Sequence, residues 1–246
     1  MVPAGRRTAN SGYNDSKASE YCGDQGVCLN GHFSSLMPSE RLKLHAPVRI
    51  EIIGGIASGK TTLAKLLARK TELTLVLEKF RGNPFWAKFY AEPAKYLQEK
   101  NIVFLPLHTG AIKARSDARA IVCDYAVFQD LVYAQLSKRR RHIQAMEAVY
   151  RDLYSSMSST TLFIYLRCAP HVQLERIKDR HRREEVAITT NYLRAFNQAL
   201  EKVLISRTRG LPLHIIDSDL VDFAHDLEQA ARIKAEIFSK LGAANP

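Results

Sequence analysis

The sequence lacks long hydrophobic runs and has few cysteines. No segment approaches the roughly 20 apolar residues that span a bilayer, so we expect no membrane segment and no membrane partner. The four cysteines (Cys22, Cys28, Cys123 and Cys168) have neither zinc-binding spacing nor the pattern of a disulfide framework. We therefore expect reduced thiols and an intracellular, cytoplasmic protein.

The sequence also lacks a basic array interleaved with aromatic residues, although its 36 Lys and Arg exceed its 25 Asp and Glu and give a net charge of +11. Such a charge invites a nucleic-acid interpretation. The densest cluster, residues 138–141, lies where a helix is predicted to end, and cations there favour the helix dipole. We expect no nucleic-acid partner; such a role would rest on net charge alone.

The first 46 residues contain much Ser, Gly, Asn and charge but no apolar run. This composition predicts a disordered N-terminal extension at 1–46, followed by one folded domain at 47–246. Arg6 and Arg7 leave a transit peptide open, although acidic residues follow soon after, and an extension without a role is an equal alternative.

Residues 54–62 match the nucleotide-binding pattern G-x-x-x-x-G-K-[ST]. A strand-like apolar stretch precedes them and a helical pattern follows, which is the setting that the motif requires. Backbone N–H groups in such a turn converge on phosphate oxygens at a helix N-terminus. Lys60 adds charge on the outer phosphates, and the Thr61 hydroxyl group can hold Mg²⁺. The motif predicts ATP and Mg²⁺ as cofactors, bound by Gly54, Gly55, Ile56, Ala57, Ser58, Gly59, Lys60, Thr61 and Thr62.

Beyond residue 47, strand-like and helix-like segments alternate. The predicted strands are 48–53, 73–77, 120–123, 162–166 and 213–216. The predicted helices follow the motif and Pro170, and also cover 85–98, 101–113, 126–137, 143–154, 189–204 and 220–241. This alternation predicts an α/β fold of the P-loop NTPase class, with three α/β/α layers around a five-stranded parallel sheet.

Two carboxylates, Glu78 and Asp124, directly follow the second and third predicted strands. Functional groups collect at the carboxyl ends of parallel strands. A kinase needs one group to orient or deprotonate the attacking hydroxyl and others to position Mg²⁺. Glu78 suits the first role and Asp124 the second, and Thr61, Glu78 and Asp124 form the candidate metal site. The alternative is a pair of solvated carboxylates.

The segment 174–185 is rich in arginine. Close to a triphosphate, Arg176, Arg180 and Arg182 would neutralise the charge that develops in phosphoryl transfer. A loop that closes over substrates also excludes water. The segment therefore predicts an arginine-rich lid, with a solvated helix face bearing internal ion pairs as the alternative.

Several of these motifs together resemble those of the deoxynucleoside kinases, a family with cytidine, guanosine, adenosine and thymidine types. The similar stretches are the P-loop, Glu78, NPFWAKFY at 83–90, CDYAVFQDLVYA at 123–134 and LERIKDRHRREE at 174–185. The resemblance implies that Glu78 is the catalytic base and that the lid arginines contact phosphates. It implies further substrate contacts, namely Tyr90 and Glu185 on the sugar, Asn101 and either Phe104 or Phe128 on the base, and Asp124 in the metal shell.

Four positions depart from the family's pattern. Ala57 stands where a glycine is usual, and Asn101 stands where a longer glutamine is expected. Tyr125 replaces an arginine that steadies the catalytic glutamate, and His108 replaces an arginine near the base. The last three changes affect the acceptor side rather than the ATP side.

The sequence thus predicts an enzyme, a kinase that transfers the γ-phosphoryl group of ATP to the 5′-hydroxyl group of a deoxynucleoside in nucleoside salvage. Two alternatives stay open: a P-loop kinase of another small alcohol or nucleotide, and a non-catalytic nucleotide-binding protein with a regulatory role. A homodimer through the helices at 126–137 and 143–154 is a further possibility. Packing of their apolar faces on the sheet explains them equally well.

Overall fold

The computed structural model describes residues 47–157, 160 and 162–244. The prediction of disorder for 1–46 lies outside the described residues and stays a prediction. None of the described helices is long and apolar enough to cross a membrane.

The centre of the fold is a sheet of five strands, all parallel and in the order β2-β3-β1-β4-β5. The strands are β1 (Val48–Gly54), β2 (Thr74–Val76), β3 (Ala120–Cys123), β4 (Leu162–Arg167) and β5 (Leu213–Asp217). Each lies at, or one residue from, its predicted position, so the predicted sheet is confirmed. Because the strands are parallel, their carboxyl ends bring residues 54, 78 and 124 to one edge.

Helices cover both faces of the sheet. They are α1 (Lys60–Ala68), α2 (Trp86–Ala91), α3 (Pro93–Lys113), α4 (Asp130–Leu136), α5 (Arg140–Ser155), α6 (Pro170–Asp179), α7 (Thr190–Arg207) and α8 (Leu227–Ala244). One face packs against α1 and α8 through residues such as Leu63, Leu67 and Ile237. The other packs against α4, α5 and α7 through residues such as Leu131, Met146 and Phe196. The predicted three-layer architecture is thereby confirmed.

The helices at 85–98 and 101–113 were predicted with a wrong boundary. The break falls at Glu92, after which α3 runs unbroken from Pro93 to Lys113. Pro93 has no N–H group to donate, which suits the first turn of a helix, and it disfavours a helical conformation at Glu92. Pro106 lies inside α3 without ending it, because Phe104, Leu105 and Ile112 are buried around it and hold the helix in place.

The last helix and the basic cluster also differ from prediction. Helix α8 begins at Leu227 rather than at 220, because Asp226 caps it by accepting the N–H groups of Glu228 and Gln229 at 2.9 and 3.0 Å. In the basic cluster, Arg140 and Arg141 open α5 instead of following a helix end. The dipole argument therefore holds only for Lys138, because Arg139 is the N-cap residue of α5, and all four side chains are exposed to solvent.

Candidate active site

A cavity of about 910 Å³ lies at the carboxyl edge of the sheet. Its lining combines the phosphate-binding loop, Glu78, Asp124, the three predicted lid arginines and the loop at 219–225. The fold thus brings together segments that are separated by more than a hundred residues in the sequence.

The phosphate-binding loop turns sharply between β1 and α1. Gly59, just before α1, has φ of +98°, and a Cβ atom there would lie 2.9 Å from the ring of Phe223. Ala57 has φ of +59°, a left-handed conformation that is unfavourable for residues with a Cβ atom. The ammonium group of Lys60 donates to the carbonyl oxygens of Gly54 and Gly55 at 2.8 and 2.9 Å, and burial lowers its pKa. Lys60 therefore lies within the loop that would cradle the phosphates.

Asp124 connects the loop to the strand end that carries Glu78. Its Oδ2 accepts a hydrogen bond from the Thr61 hydroxyl group at 2.7 Å, and its Oδ1 accepts one from the backbone N–H of Glu78 at 2.6 Å. Burial raises the pKa of Asp124, partly offset by the bond from Thr61. The Thr61 hydroxyl group and the Asp124 carboxylate offer the oxygen ligands that Mg²⁺ prefers, so these two residues fit the ion.

The carboxylate of Glu78 faces His108. Nε2 of His108 lies 3.3 Å from Oε1 of Glu78, and its Nδ1 lies 2.8 Å from Oδ2 of Asp130. Burial by itself would lower the pKa of His108, but the two carboxylates outweigh it and raise this pKa to about 10. Burial would likewise raise the pKa of Glu78, but His108 and Lys60 outweigh it and lower this pKa. The site therefore keeps Glu78 as a carboxylate, the form that can accept a proton.

Aromatic side chains form another part of the cavity wall, namely Trp86, Tyr90, Phe104 and Tyr133. Tyr90 and Phe104 thus line the cavity, and their contacts with the sugar and the base stay predictions. The structure does not bring Asn101 or Phe128 into the lining.

Asn101 and Phe128 instead pack elsewhere in the protein. The Asn101 amide nitrogen lies 3.4 Å from Nε2 of His142 on α5. The ring of Phe128 packs in the core against Phe163 at 5.5 Å between centroids. These positions correct the assignment of either residue to the base.

The arginine-rich segment forms the far side of the cavity. Arg180 donates two hydrogen bonds to the buried carboxylate of Glu185, at 2.7 and 2.6 Å, and Arg182 lies 3.5 Å from the same group. Arg176 donates to the carbonyl oxygen of Ser218 at 2.7 Å and to its hydroxyl group at 3.1 Å. Arg180 and Arg182 thus form ion pairs within the segment, as the alternative interpretation predicts. Even so, the cavity lining includes Arg176, Arg180, Arg182 and Glu185.

The loop at 219–225 was not predicted as part of the site, although it borders the phosphate-binding loop. Phe223 is buried against Gly59 of the phosphate-binding loop. Asp222 stabilises the turn by accepting the N–H groups of Ala224 and His225 at 3.1 and 3.0 Å. The signal was present in the sequence, since Asp222 and Asp226 are turn-forming and capping residues ahead of a helix. The last predicted helix, 220–241, included most of this loop.

The chain is similar to known proteins in sequence and in fold. The chain matches the model of the deoxynucleoside kinase family over residues 50–241. It is 26% identical over 196 residues to a deoxyguanosine kinase of Bacillus subtilis, covering 76% of this chain and 95% of that protein. It is 29% identical to a deoxyadenosine kinase of Dictyostelium discoideum, covering 76% and 78%. A solved deoxyadenosine kinase of M. mycoides has the same fold, with a TM-score of 0.66 and 23% identity over 78% of this chain and all of that one.

Proposed function

The chain belongs to the deoxynucleoside kinase family, and we propose that it transfers the γ-phosphoryl group of ATP to the 5′-hydroxyl group of a deoxynucleoside in this cavity. The observation that carries the proposal is the position of Asp124, which joins the phosphate-binding Thr61 to the backbone of Glu78 by two short hydrogen bonds. Donor and acceptor machinery thereby share one cavity.

On the donor side, the loop at 54–62 holds the triphosphate through its backbone N–H groups. Lys60 leaves the carbonyl oxygens of Gly54 and Gly55 to contact the outer phosphates, which suits a flexible point charge. Phe223 and its loop lie beside Gly59 of the phosphate-binding loop, and we place the ATP base there. Thr61 and Asp124 would hold Mg²⁺, which would supply positive charge against the phosphate oxygens.

On the acceptor side, the deoxynucleoside lies against the aromatic wall with its sugar at Tyr90 and Glu185. Glu78 orients the 5′-hydroxyl group and accepts its proton as the oxygen attacks the γ-phosphorus. The bond from that phosphorus to the bridging oxygen of ADP breaks in the same displacement. Arg180 and Arg182 balance the charge of the transferring group, for which they exchange part of their pairing with Glu185.

Three finer expectations belong to this proposal. The carboxylate of Glu78 is turned towards His108, so we assign Mg²⁺ to Thr61 and Asp124 and keep Glu78 as the base. The site acts in nucleoside salvage in the cytoplasm. Two copies of the chain pair through α4 and α5, for which equilibrium sedimentation of the purified protein is the test.

Phosphoryl transfer from labelled ATP–Mg²⁺ tests the function, with the four deoxynucleosides, ribonucleosides and monophosphates as acceptors. We expect turnover on at least one deoxynucleoside. Replacing Glu78→Gln should lower kcat by about 10²- to 10⁴-fold, the range of general base catalysis, and leave ATP binding intact. Tight ATP binding without transfer to any acceptor would favour the non-catalytic alternative, and transfer only to monophosphates or other alcohols would favour a different kinase class.

A further inference from the structure

We propose that His108 supplies the positive charge that holds Glu78 in its catalytic position, and that Tyr125 fixes His108 there. The proposal rests on the role of Glu78 given above. It makes His108 a positioning residue, because its ring contacts the catalytic carboxylate rather than the reacting atoms.

The two ring nitrogens of His108 face two different carboxylates. One lies 2.8 Å from Asp130 on α4, and the other lies 3.3 Å from Glu78 after β2. A neutral imidazole has one N–H group and one bare nitrogen, so it would set a lone pair against one of these carboxylates. The imidazolium form has two N–H groups, of which one bonds to Asp130 and the other faces Glu78 at ion-pair distance without the geometry of a hydrogen bond. A buried ring between two carboxylates therefore favours the cation.

Two aromatic rings and a hydrogen bond hold the imidazolium in place. The ring of Tyr125 stacks on that of His108 at 4.2 Å with 24° between the planes, and Phe104 stacks at 5.0 Å with 23°. The Tyr125 hydroxyl group also donates to the carbonyl oxygen of His108 at 2.9 Å. Aromatic faces carry partial negative charge and favour a cation above them. Tyr125 thus fixes both the backbone and the ring of His108.

Neighbouring cations are held in other ways. Lys60 donates to two carbonyl oxygens of the phosphate-binding loop. The ammonium group of Lys100 lies 3.4 Å from the ring centroid of Tyr133 and 4.3 Å from that of Phe89. Among the described residues, the ion pair at Glu78 is with His108. The cation that faces the carboxylate of Glu78 therefore belongs to α3.

Kinetic comparison of charge-retaining and charge-removing variants tests the proposal. His108→Gln keeps a polar side chain without the charge, and His108→Arg keeps the charge. We expect His108→Gln to lower kcat by about 10- to 100-fold, roughly the value of one close interaction with a buried charged group, with KM for ATP unchanged. His108→Arg should recover most of this loss. His142→Gln removes another buried histidine, on α5 and outside the cavity, and should leave kcat unchanged.

A second pair of variants tests the role of Tyr125. Tyr125→Phe keeps the stacked ring and removes the hydroxyl donor, so it should lower kcat several-fold in the native background. In the His108→Gln background it should add little, because both changes act through one group. In that same background, Tyr125→Arg should restore part of the lost kcat.

The outcomes separate this proposal from the proposed function. If native protein turns over and Glu78→Gln does not, the function stands whatever His108 does. Full kcat in His108→Gln would overturn the proposal, as would equal losses in His108→Gln and His108→Arg, which indicate a purely structural residue. Thermal unfolding and ATP binding of each variant identify losses that come from misfolding. If His108→Gln does not fold, additive effects of Tyr125→Phe and Glu78→Asp on kcat would overturn it instead.

Discussion

Single residues in this fold occupy conformations that the sequence alone does not reveal. Ala57 has φ of +59°, and the left-handed region costs an alanine roughly 1–2 kcal/mol. A glycine avoids that cost but loses about 0.5–1 kcal/mol of chain entropy on folding. At position 57 of the phosphate-binding loop, alanine therefore makes the folded protein less stable than glycine would.

We expect Ala57→Gly to raise the free energy of unfolding by about 0.5–1 kcal/mol, the difference between these two effects. Urea denaturation at fixed pH measures it. Ala235→Gly is the matched control, because Ala235 is exposed within α8 and should lose about as much as Ala57→Gly gains. Destabilisation by both substitutions would show that the strain at 57 is relieved in solution.

Lys100 is a second residue whose environment costs stability. It is 1% exposed, and burial lowers its pKa to about 7, with Asp130 and Glu78 only partly offsetting this. Between pH 7 and the ordinary lysine pKa of 10.5, the unfolded chain binds a proton here that the folded chain does not. The contribution of Lys100 to stability therefore rises with pH through that window.

Lys100→Met should stabilise the protein by about 1–4 kcal/mol at pH 7, because an apolar side chain fits the same aromatic surroundings without burying a charge. The gain should shrink as the pH rises towards 10. Chemical denaturation at several pH values measures both effects, with the exposed Lys240→Met as the control. A gain that does not change with pH would contradict the assigned pKa shift.

A contact between helix α6 and the end of strand β5 helps to form the candidate site. Arg176 on α6 donates two hydrogen bonds to Ser218, the first residue after β5. These bonds join the arginine-rich segment to the residue that precedes the loop at 219–225. The phosphate contact of Arg176 stays a prediction, and its bonds to Ser218 connect two elements.

We expect Arg176→Met to raise KM for ATP by about tenfold or more, because it removes charged hydrogen bonds to Ser218, the residue that precedes the loop at 219–225. KM for the deoxynucleoside should change much less. Initial-rate kinetics with each substrate varied in turn will show this difference. Arg183→Met, an exposed change in the same segment, is the control. Equal effects of the two substitutions on KM for ATP would indicate a general loss of charge.

Sequence patterns predicted elements well and their contacts poorly. The five strands are rich in apolar residues, as buried parallel strands require, and they were found although Arg49 and Glu51 interrupt the apolar pattern of β1. Pro93 and Pro106 give similar local signals, and only the burial of Phe104, Leu105 and Ile112 decides that the helix breaks at the first of them. The rotation of α3 about its axis, which directs Asn101 to α5 and His108 to the cavity, is also set by packing.

At the scale of the whole molecule, the predicted site residues come together where a motif fixes their chemistry. Residues 56–62, Glu78, Asp124 and the three predicted lid arginines line one cavity. His108 and Asp130 were not assigned to Glu78, because they lie on different helices and 22 residues apart in the sequence. Pairings of this kind depend on tertiary packing, which a single sequence does not reveal.

The lining of the cavity, as far as the structure describes the chain, comes from residues after 47. The lining of the cavity extends from Ile56 to Gln229, and the family match covers residues 50–241. We therefore expect a variant that lacks residues 1–46 to keep kcat and both KM values of the full-length chain, because every group proposed for binding and catalysis remains. Parallel initial-rate assays and thermal unfolding of the two proteins measure this. A loss of kcat without a loss of stability would place a contribution of the N-terminal residues at the site itself, whereas a loss of both would place it in folding.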